Sequence, residues 1–265
     1  MSVTDRIPSA GDVTVAPSSE GAGIAAGKAA AQVLRRALEQ RATARVVFAS
    51  APSQDQMLRT LVAAEGIDWS RVQSMHLDEY RGIDPEHRAA FGKWLADRLP
   101  EAAQSGLERI SSEGEFGVEI ERYSQLLQEG PIDLVCLGIG VNGHVAFNEP
   151  GDTDFNSPEQ LRQVLLTHAS RKQQVDEGLF ASLDDVPTHA LSMTVPAIMR
   201  GEALVCTVLG SAKAAAVAAA LSGPVTTDVP ASILQDQDNL QVFLDEDAAV
   251  DLPGSVATNQ VPVTN

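Results

Sequence analysis

The sequence predicts an α/β fold in which helices cover both faces of a mostly parallel sheet. Two observations lead to this prediction: short apolar runs alternate with segments of helical spacing, and several of the runs end in glycine, serine or charged residues. Strands that are apolar along their length are typical of parallel sheets, because both faces of such sheets are buried. We therefore expect a single-domain, Rossmann-like three-layer sandwich.

The first half of the chain begins this alternation. Residues 20–40 are rich in alanine at helical spacing and predict a long helix, and the apolar run at 44–50 predicts a short strand. Serine and proline, which are common where helices begin, lie at the start of a predicted helix at 53–64. The segment at 72–77 predicts the next strand, and helical spacing returns at 88–98.

The second half continues the same pattern. A predicted helix at 118–128 precedes a mostly apolar run at 132–137, which is typical of a buried strand. After a glycine-rich turn, the chain continues with three predicted strands and an alanine-rich helix between the last two. In chain order these elements lie at 190–194, 203–209, 211–221 and 240–244.

The chain shows no internal repeat and no linker, so we expect one α/β domain over residues 19–250. Its two ends, residues 1–18 and 251–265, are rich in Ser, Thr, Pro, Val and Gly and have no periodicity. We expect the first to be a loose segment and the second a flexible tail.

The charge balance restricts the partners of the protein. The 265 residues include 19 basic and 36 acidic ones, a formal net charge of −17 at pH 7, which argues against nucleic acid and anionic membranes as partners. A small anionic ligand would need a local positive patch. The sequence has neither a membrane-spanning apolar stretch nor a signal-peptide pattern, so we expect a cytoplasmic location. The sequence is compatible with a homo-oligomer but does not indicate one.

The segment 138–150, Gly-Ile-Gly-Val-Asn-Gly-His-Val-Ala-Phe-Asn-Glu-Pro, follows the predicted strand at 132–137. Its three glycines allow a tight turn and a close approach of the backbone to a ligand. His144 and Glu149 lie in this turn, and a carboxylate beside an imidazole suits proton shuttling. The alternative is a histidine that only hydrogen-bonds the turn. Because no second His or Cys lies at ligand spacing, no metal site is predicted.

Two adjacent carboxylates, Asp78 and Glu79, follow the predicted strand at 72–77. A carboxylate against apolar walls can have its pKa raised toward neutrality and can then act as a general base. The alternatives are a solvated turn or an aspartate that caps the next segment.

A strand-to-helix junction at residues 210–213 is a candidate anion site. Helix N-terminal amides, the helix dipole and the ammonium of Lys213 together suit a phosphate, and Ser211 lies beside them. The alternative is a serine cap next to a surface lysine. An earlier junction contains Ser50 and Ser53, whose hydroxyls can contact the same anion.

Three motifs together resemble the glucosamine-6-phosphate deaminase family, within the wider group that includes 6-phosphogluconolactonases. They are His-Leu-Asp-Glu-Tyr at 76–80, the segment at 138–150, and Gly-Ser-Ala-Lys-Ala at 210–214, in the family's order and spacing. The resemblance covers about residues 20–247. The Phe-Asn-Glu-Pro ending of the second motif points to the deaminase branch.

The resemblance implies a hydrolase and isomerase that converts glucosamine 6-phosphate and water to fructose 6-phosphate and ammonia, without metal or organic cofactor. It implies that Asp78 is the base that moves a proton between C2 and C1 through a cis-enolamine. His144 would assist ring opening, supported by Glu149 and oriented by Asn142. The residues implied to bind the phosphate are Lys213, Ser50, Ser53 and Ser211.

Three positions depart from the family's pattern. Many members carry Asp where this chain has Asn142, and Asn can orient an imidazole without adding charge. The first phosphate loop, usually rich in Thr and Gly, is Ser-Ala-Pro-Ser at 50–53, and its proline has no N–H to donate. An arginine that often helps to bind phosphate has no counterpart at 175–176, although Arg171 and Lys172 are nearby.

Two alternatives to the deaminase stay open at this point. One is an enzyme on a related substrate, either galactosamine 6-phosphate or a 6-phospholactone. The other is a catalytically silent sugar-phosphate sensor. Sensors that share this fold usually carry a DNA-binding helix-turn-helix, of which this acidic sequence shows no sign, and they need neither Asp78 nor the His144–Glu149 pair.

Overall fold

Two sheets organise the computed structural model, which describes residues 13–254, 256 and 258–260. The strands of this described part are β1 (Val13–Ala16), β2 (Ala44–Phe48), β3 (Val72–His76), β4 (Asp78–Tyr80), β5 (Leu134–Leu137), β6 (Leu161–Leu165), β7 (His189–Met193), β8 (Leu204–Val208), β9 (Leu240–Asp245) and β10 (Asn259–Gln260). The central sheet has the order β10-β1-β9-β8-β5-β2-β3, and all its strands are parallel. The predicted mostly parallel sheet is therefore confirmed.

Helices cover both faces of the central sheet. The helices of the described part of the chain are α1 (Ser19–Gln40), α2 (Asp55–Val62), α3 (Phe91–Ala96), α4 (Phe116–Gln128), α5 (His168–Asp176), α6 (Val195–Ile198), α7 (Ala214–Ser222) and α8 (Glu246–Ala249). Successive side chains of β2 point to opposite faces: Val46 and Phe48 pack with α1 and α2, whereas Val47 packs with α4 and α7. The sandwich with three layers is therefore confirmed, and it forms a single domain.

Glycine allows α1 and α2 to pack closely on their face of the sheet. A Cβ added at Gly27 would lie 2.5 Å from the backbone oxygen of Met57 and 2.5 Å from the Cβ of Thr60. At the start of α1, the Ser18 hydroxyl accepts a hydrogen bond from the backbone N–H of Gly21, at 3.1 Å. The predicted helix at 20–40 is thus confirmed, and its small residues serve helix packing.

A second, antiparallel sheet of β4, β7 and β6 was not predicted. The predicted strand at 190–194 exists as β7, but it belongs to this small sheet. β4, β6 and α5 were missed altogether. β4 has only three residues, and α5 is a mostly polar helix in which only Ser170 and Gln174 are buried, so neither carries a strong periodic signal.

The prediction of loose ends is wrong for the residues that the structure describes there. Val13–Ala16, within the predicted loose segment, forms β1 and pairs with β9 in the sheet. Asn259–Gln260, within the predicted tail, pairs with β1. These strands are too short to show a pattern in sequence, and neighbouring strands hold them in place. Within the two predicted segments, residues 1–12, 255, 257 and 261–265 lie outside the described residues.

Candidate active site

A cavity opens where the central strands end. Its lining begins just after β2 with Ala49, just after β3 with Leu77, and just after β5 with Gly138; Lys213 follows β8. Parallel strands place all these ends at one edge of the sheet, which is where open α/β sheets bind ligands. α5 closes the cavity from the other side. The structure therefore brings the glycine-rich loop at 138–150, Asp78 and Lys213 to one cavity, although they are far apart in sequence.

Asn142 links His144 to Glu149. The Nδ2 amide of Asn142 donates a hydrogen bond to Glu149 Oε2 at 2.7 Å, and its Oδ1 lies 2.8 Å from His144 Nδ1. A carboxylate can only accept, so the amide nitrogen must face Glu149 and the amide oxygen must face the imidazole. The Nδ1 atom of His144 therefore carries a proton. In the neutral ring the lone pair is then on Nε2, outside this network.

Ser170, which sequence reasoning missed, completes the network. This fully buried serine on α5 donates its hydroxyl proton to Glu149 Oε1, and its Oγ lies 3.3 Å from His144 Nδ1. Glu149 Oε1 itself is 3.7 Å from the same imidazole nitrogen. Ser170 comes 21 residues after Glu149 in a polar segment, so only the fold brings them together.

The surroundings of Glu149 keep this buried carboxyl ionised. Burial alone would raise its pKa, but the nearby imidazole of His144 and the hydrogen bonds from Ser170 and Asn142 lower the pKa to about 2. Glu149 is only 1% exposed. It is therefore a fixed negative charge beside the histidine.

The glycines of this loop make room for the imidazole. A Cβ added at Gly140 would lie 2.1 Å from Nε2 of His144, so the ring occupies the space of the missing side chain. Gly143 has φ +85°, a conformation that favours glycine. The glycine-rich turn is therefore required both by its backbone conformation and by the position of its histidine.

Asp78 lies where the chain passes from the central sheet to the small one, as the first residue of β4. Burial, and then the neighbouring charge of Glu79, raise the pKa of Asp78 to about 8. His76 holds the backbone there: its Nε2 accepts the N–H of Ile110 at 2.9 Å, so its Nδ1 donates to the carbonyl of Asp78 at 2.8 Å. Asp78 lines the cavity and is a buried group, which excludes the solvated turn.

Glu79 has a structural role that differs from the position of Asp78 in the cavity. Its carboxylate accepts backbone N–H groups of Tyr80, Phe91 and Gly92 at 3.0, 3.1 and 2.8 Å, which caps the start of α3. Burial raises its pKa to about 7, against the opposing effect of these bonds. Glu79 does not line the cavity. Of the two adjacent carboxylates, only Asp78 is placed for chemistry.

Lys213 also lines the cavity, together with Ser50, Ser53 and Gln54 from the strand-to-helix junction after β2. Within the described part of the chain, the buried Ser50 Oγ and Gln54 Oε1 have no hydrogen-bond partner. A buried polar atom without a partner costs about 1–3 kcal/mol, which a bound polar ligand would offset. Gln54 lies within the predicted junction at residues 50–54, from which only the serine hydroxyls were expected to contact an anion.

The structure does not bring Ser211 to the cavity. Ser211 is exposed in the short 3₁₀ turn that precedes α7 and is not among the residues that line the site. The two cations near the missing arginine are also engaged elsewhere. Arg171 donates to the carbonyls of Leu183 and Val186, and Lys172 pairs with Asp176 at 2.7 Å; neither lines the cavity.

Residues 13–254, 256 and 258–260 contain neither a candidate metal site nor a candidate membrane-spanning helix. No group of three or more His, Cys, Asp or Glu side chains there is arranged to hold a metal ion. No helix in this range has the length and apolar character needed to cross a membrane.

Comparisons with known proteins agree with this geometry. A family model described as glucosamine-6-phosphate isomerases/6-phosphogluconolactonase matches residues 17–243. The glucosamine-6-phosphate deaminase of Lactobacillus delbrueckii subsp. bulgaricus is 36% identical over 225 residues, which are 84% of this chain and 93% of that protein. The same-named protein of Streptococcus equi subsp. zooepidemicus is 37% identical over 229 residues, 85% of this chain and 94% of its own.

Solved structures of related proteins share the fold of this chain. The structure of a monomeric glucosamine-6-phosphate deaminase matches with a TM-score of 0.81 and 27% identity, covering 90% of this chain and 99% of that one. The 6-phosphogluconolactonase of Trypanosoma brucei matches with a TM-score of 0.73 at 14% identity, covering 91% and 98%, and shows the shared fold. With the family model spanning most of the chain, this protein belongs to the glucosamine-6-phosphate isomerase/6-phosphogluconolactonase family.

Proposed function

We propose that this protein converts glucosamine 6-phosphate and water to fructose 6-phosphate and ammonia. One observation carries the proposal: a buried carboxyl with a raised pKa, an oriented imidazole and an ammonium line the same cavity. The reaction needs a base that removes a proton from carbon, a group that transfers a proton to and from oxygen, and a binding site for the phosphate. The relatives named as deaminases support this assignment. The family description supports an isomerase, and the relatives' names a deaminase, but neither supports our expectation of a hydrolase.

Lys213 binds the phosphate in this proposal. Its side chain lines the same cavity as Ser50 and Ser53, whose hydroxyls are further donors for a phosphate. Charge-assisted hydrogen bonds of this kind are stronger than neutral ones and orient the sugar. The sugar then extends toward His144 and Asp78.

His144 opens the sugar ring. Its Nε2 lone pair takes the proton of the C1 hydroxyl and delivers a proton to the ring oxygen, so that the C1–O5 bond breaks and C1 becomes an aldehyde. The imidazole gains and then loses one proton, and Glu149 stabilises the transient positive charge. Asn142 keeps the other ring nitrogen protonated throughout.

Asp78 then moves a proton between two carbons. As a carboxylate it takes the proton from C2, the electron pair of that C–H bond forms a C1–C2 double bond, and the aldehyde oxygen takes a proton from water, giving an enolamine and hydroxide. The carboxylic acid then returns its proton to C1, the nitrogen lone pair forms a C2–N double bond, and the resulting iminium gives a proton to the hydroxide, which leaves an imine at C2. Water adds to the imine and ammonia leaves, giving the ketone. A base with a raised pKa suits proton abstraction from carbon.

One assay tests the proposal. The purified protein is supplied with glucosamine 6-phosphate, galactosamine 6-phosphate and 6-phosphogluconolactone, and both ammonia and acid release are followed. We expect ammonia from glucosamine 6-phosphate at the highest kcat/KM of the three. Acid release from the lactone without ammonia from either amino sugar would replace the deaminase by a lactonase.

A single chain supplies all the groups in this proposal, so a homo-oligomer is not required for activity. The solved relative described as monomeric supports a monomer here. Light scattering during size-exclusion chromatography should give a mass near 28.0 kDa. Activity that appears only in a larger species would contradict this expectation.

A further inference from the structure

Lys213 already has an anionic neighbour in the cavity. Its Nζ atom lies 4.0 Å from Oε1 of Glu177, and both side chains line the site. They are largely buried, with 13% and 25% of the side chains exposed. Burial lowers the pKa of Lys213, and the charge of Glu177 opposes this effect. The group proposed to bind phosphate is therefore paired with a carboxylate.

Glu177 is held in this position from two sides. It directly follows α5, and its own backbone N–H donates to Gln173 O at 2.9 Å. The Gln173 side-chain amide donates to Glu177 Oε1 at 2.8 Å, and its oxygen accepts the backbone N–H of Val141 at 3.4 Å. The C-terminal end of a helix carries a partial negative charge, so α5 adds to the negative potential here.

Few cations oppose this negative charge. Among the described residues that line the cavity, Lys213 is the only lysine or arginine, and the other ionisable side chains are Asp78, Glu177 and His144. A phosphate bound to Lys213 therefore meets the Glu177 carboxylate within a few ångströms, and like charges at such a distance repel. The repulsion grows with the charge of the ligand.

We propose that Glu177 is a specificity-determining residue that sets how much negative charge the cavity accepts at C6 of the substrate. It competes with the phosphate for Lys213, which raises the KM for a dianionic substituent more than for a monoanionic one, and leaves a neutral one unaffected. The proposal rests on the proposed function, because it places the C6 substituent at Lys213.

The Glu177→Gln variant tests this directly. Glutamine keeps an oxygen to accept from Gln173 and removes only the charge. Asp176→Asn is the matched control, because it removes the same charge one residue away, where the exposed Asp176 pairs with Lys172 outside the cavity. The substrates are glucosamine 6-phosphate, glucosamine 6-sulfate and glucosamine, measured at pH 7.5, where the phosphate is mostly a dianion.

We expect Glu177→Gln to lower the KM for glucosamine 6-phosphate by about tenfold or more, the change expected when a partly buried like charge is removed. The KM for glucosamine 6-sulfate should fall less, and the KM for glucosamine should stay within twofold of the wild-type value. The kcat should change little, since Glu177 transfers no proton in the proposed mechanism. Asp176→Asn should leave every value as in the wild type. Equal effects on all three substrates, or equal effects of the two variants, would overturn the proposal.

Calorimetric titration with inorganic phosphate separates this inference from the proposed function. We expect Glu177→Gln to bind phosphate about tenfold more tightly than the wild type and Asp176→Asn, with no turnover needed. If Glu177→Gln tightens phosphate binding but no protein releases ammonia, the reaction is wrong and the role of Glu177 stands. If ammonia is released normally but phosphate binds all three proteins equally, the role of Glu177 is wrong.

Discussion

The amide oxygen of Asn142 lies 2.8 Å from Nδ1 of His144, and the amide nitrogen of the same residue is bonded to Glu149. This arrangement fixes which imidazole nitrogen carries the proton without placing a second carboxylate next to the ring. An aspartate at position 142 would lose the bond to Glu149 and place a second carboxylate near it, and like charges repel. In this chain, Glu149 supplies the charge and Asn142 supplies the orientation.

Ser170 should matter for catalysis although it does not line the cavity. Ser170→Ala removes the hydroxyl that bridges Glu149 and His144, and we expect kcat to fall by about tenfold to a hundredfold with little change in KM. Ser232→Ala is the control, because that serine is equally buried and its hydroxyl bonds only the backbone of Thr226. A similar loss of kcat in both variants would mean that Ser170 acts only through stability.

Gly140→Ala should displace the histidine. The new Cβ would lie 2.1 Å from Nε2 of His144, so we expect the imidazole to move and the activity to fall by about a hundredfold or more. Gly117→Ala is the matched control, since nothing lies within 4 Å of a Cβ at that position of α4. Steady-state kinetics and thermal melts of both variants check this. Wild-type activity in Gly140→Ala would show that the ring position is not critical.

The pH dependence of kcat/KM should report Asp78. A base must be ionised, so kcat/KM should rise with pH and level off above the Asp78 pKa of about 8. Glu79 contributes to that raised pKa, so Glu79→Gln should move this rise to lower pH. Glu86→Gln, which removes an exposed carboxylate, should not move it. An unchanged profile in Glu79→Gln would contradict the coupling of the two carboxyls.

Asp78 should also make stability depend on pH. Its folded-state pKa of about 8 lies above the ordinary value of 3.8, so the native state keeps a proton that the unfolded chain releases. The wild type therefore loses stability as pH rises from about 4 to 8, whereas Asp78→Asn avoids this loss. We expect the Tm of Asp78→Asn, relative to wild type, to be higher at pH 8.5 than at pH 5 by at least about 2–4 °C. The opposite sign would mean that Asp78 is stabilised as a carboxylate.

Much of the fold was predictable because parallel strands are apolar along their length. The runs that became β2, β5, β8 and β9 are of this kind, and each was predicted close to its observed bounds. The antiparallel sheet was missed because β6 is only partly buried: its burial alternates and leaves Leu165 exposed. Such a strand depends on its partners more than on its own composition.

The residues of the candidate site also fall into two groups: those whose proximity could be predicted from the sequence and those brought together only by the fold. His144, Glu149 and Asn142 lie within one loop, where the glycines mark a turn, so their proximity could be predicted from the sequence. Ser170 and Glu177 lie on or just after α5, a helix with no strong pattern, and reach the loop and Lys213 only through folding. Ser211 was predicted because it lies two residues before Lys213, but residues two apart on a helical turn do not share a face.

Ammonia release from glucosamine 6-phosphate by Asp78→Asn tests the central claim most directly. The amide cannot take the C2 proton, so we expect the rate to fall by about a thousandfold or more while the melting curve shows a folded protein. Asp176→Asn, an exposed change of the same kind, should keep the wild-type rate. If the wild type releases ammonia and Asp78→Asn releases it at the same rate, Asp78 is not the base.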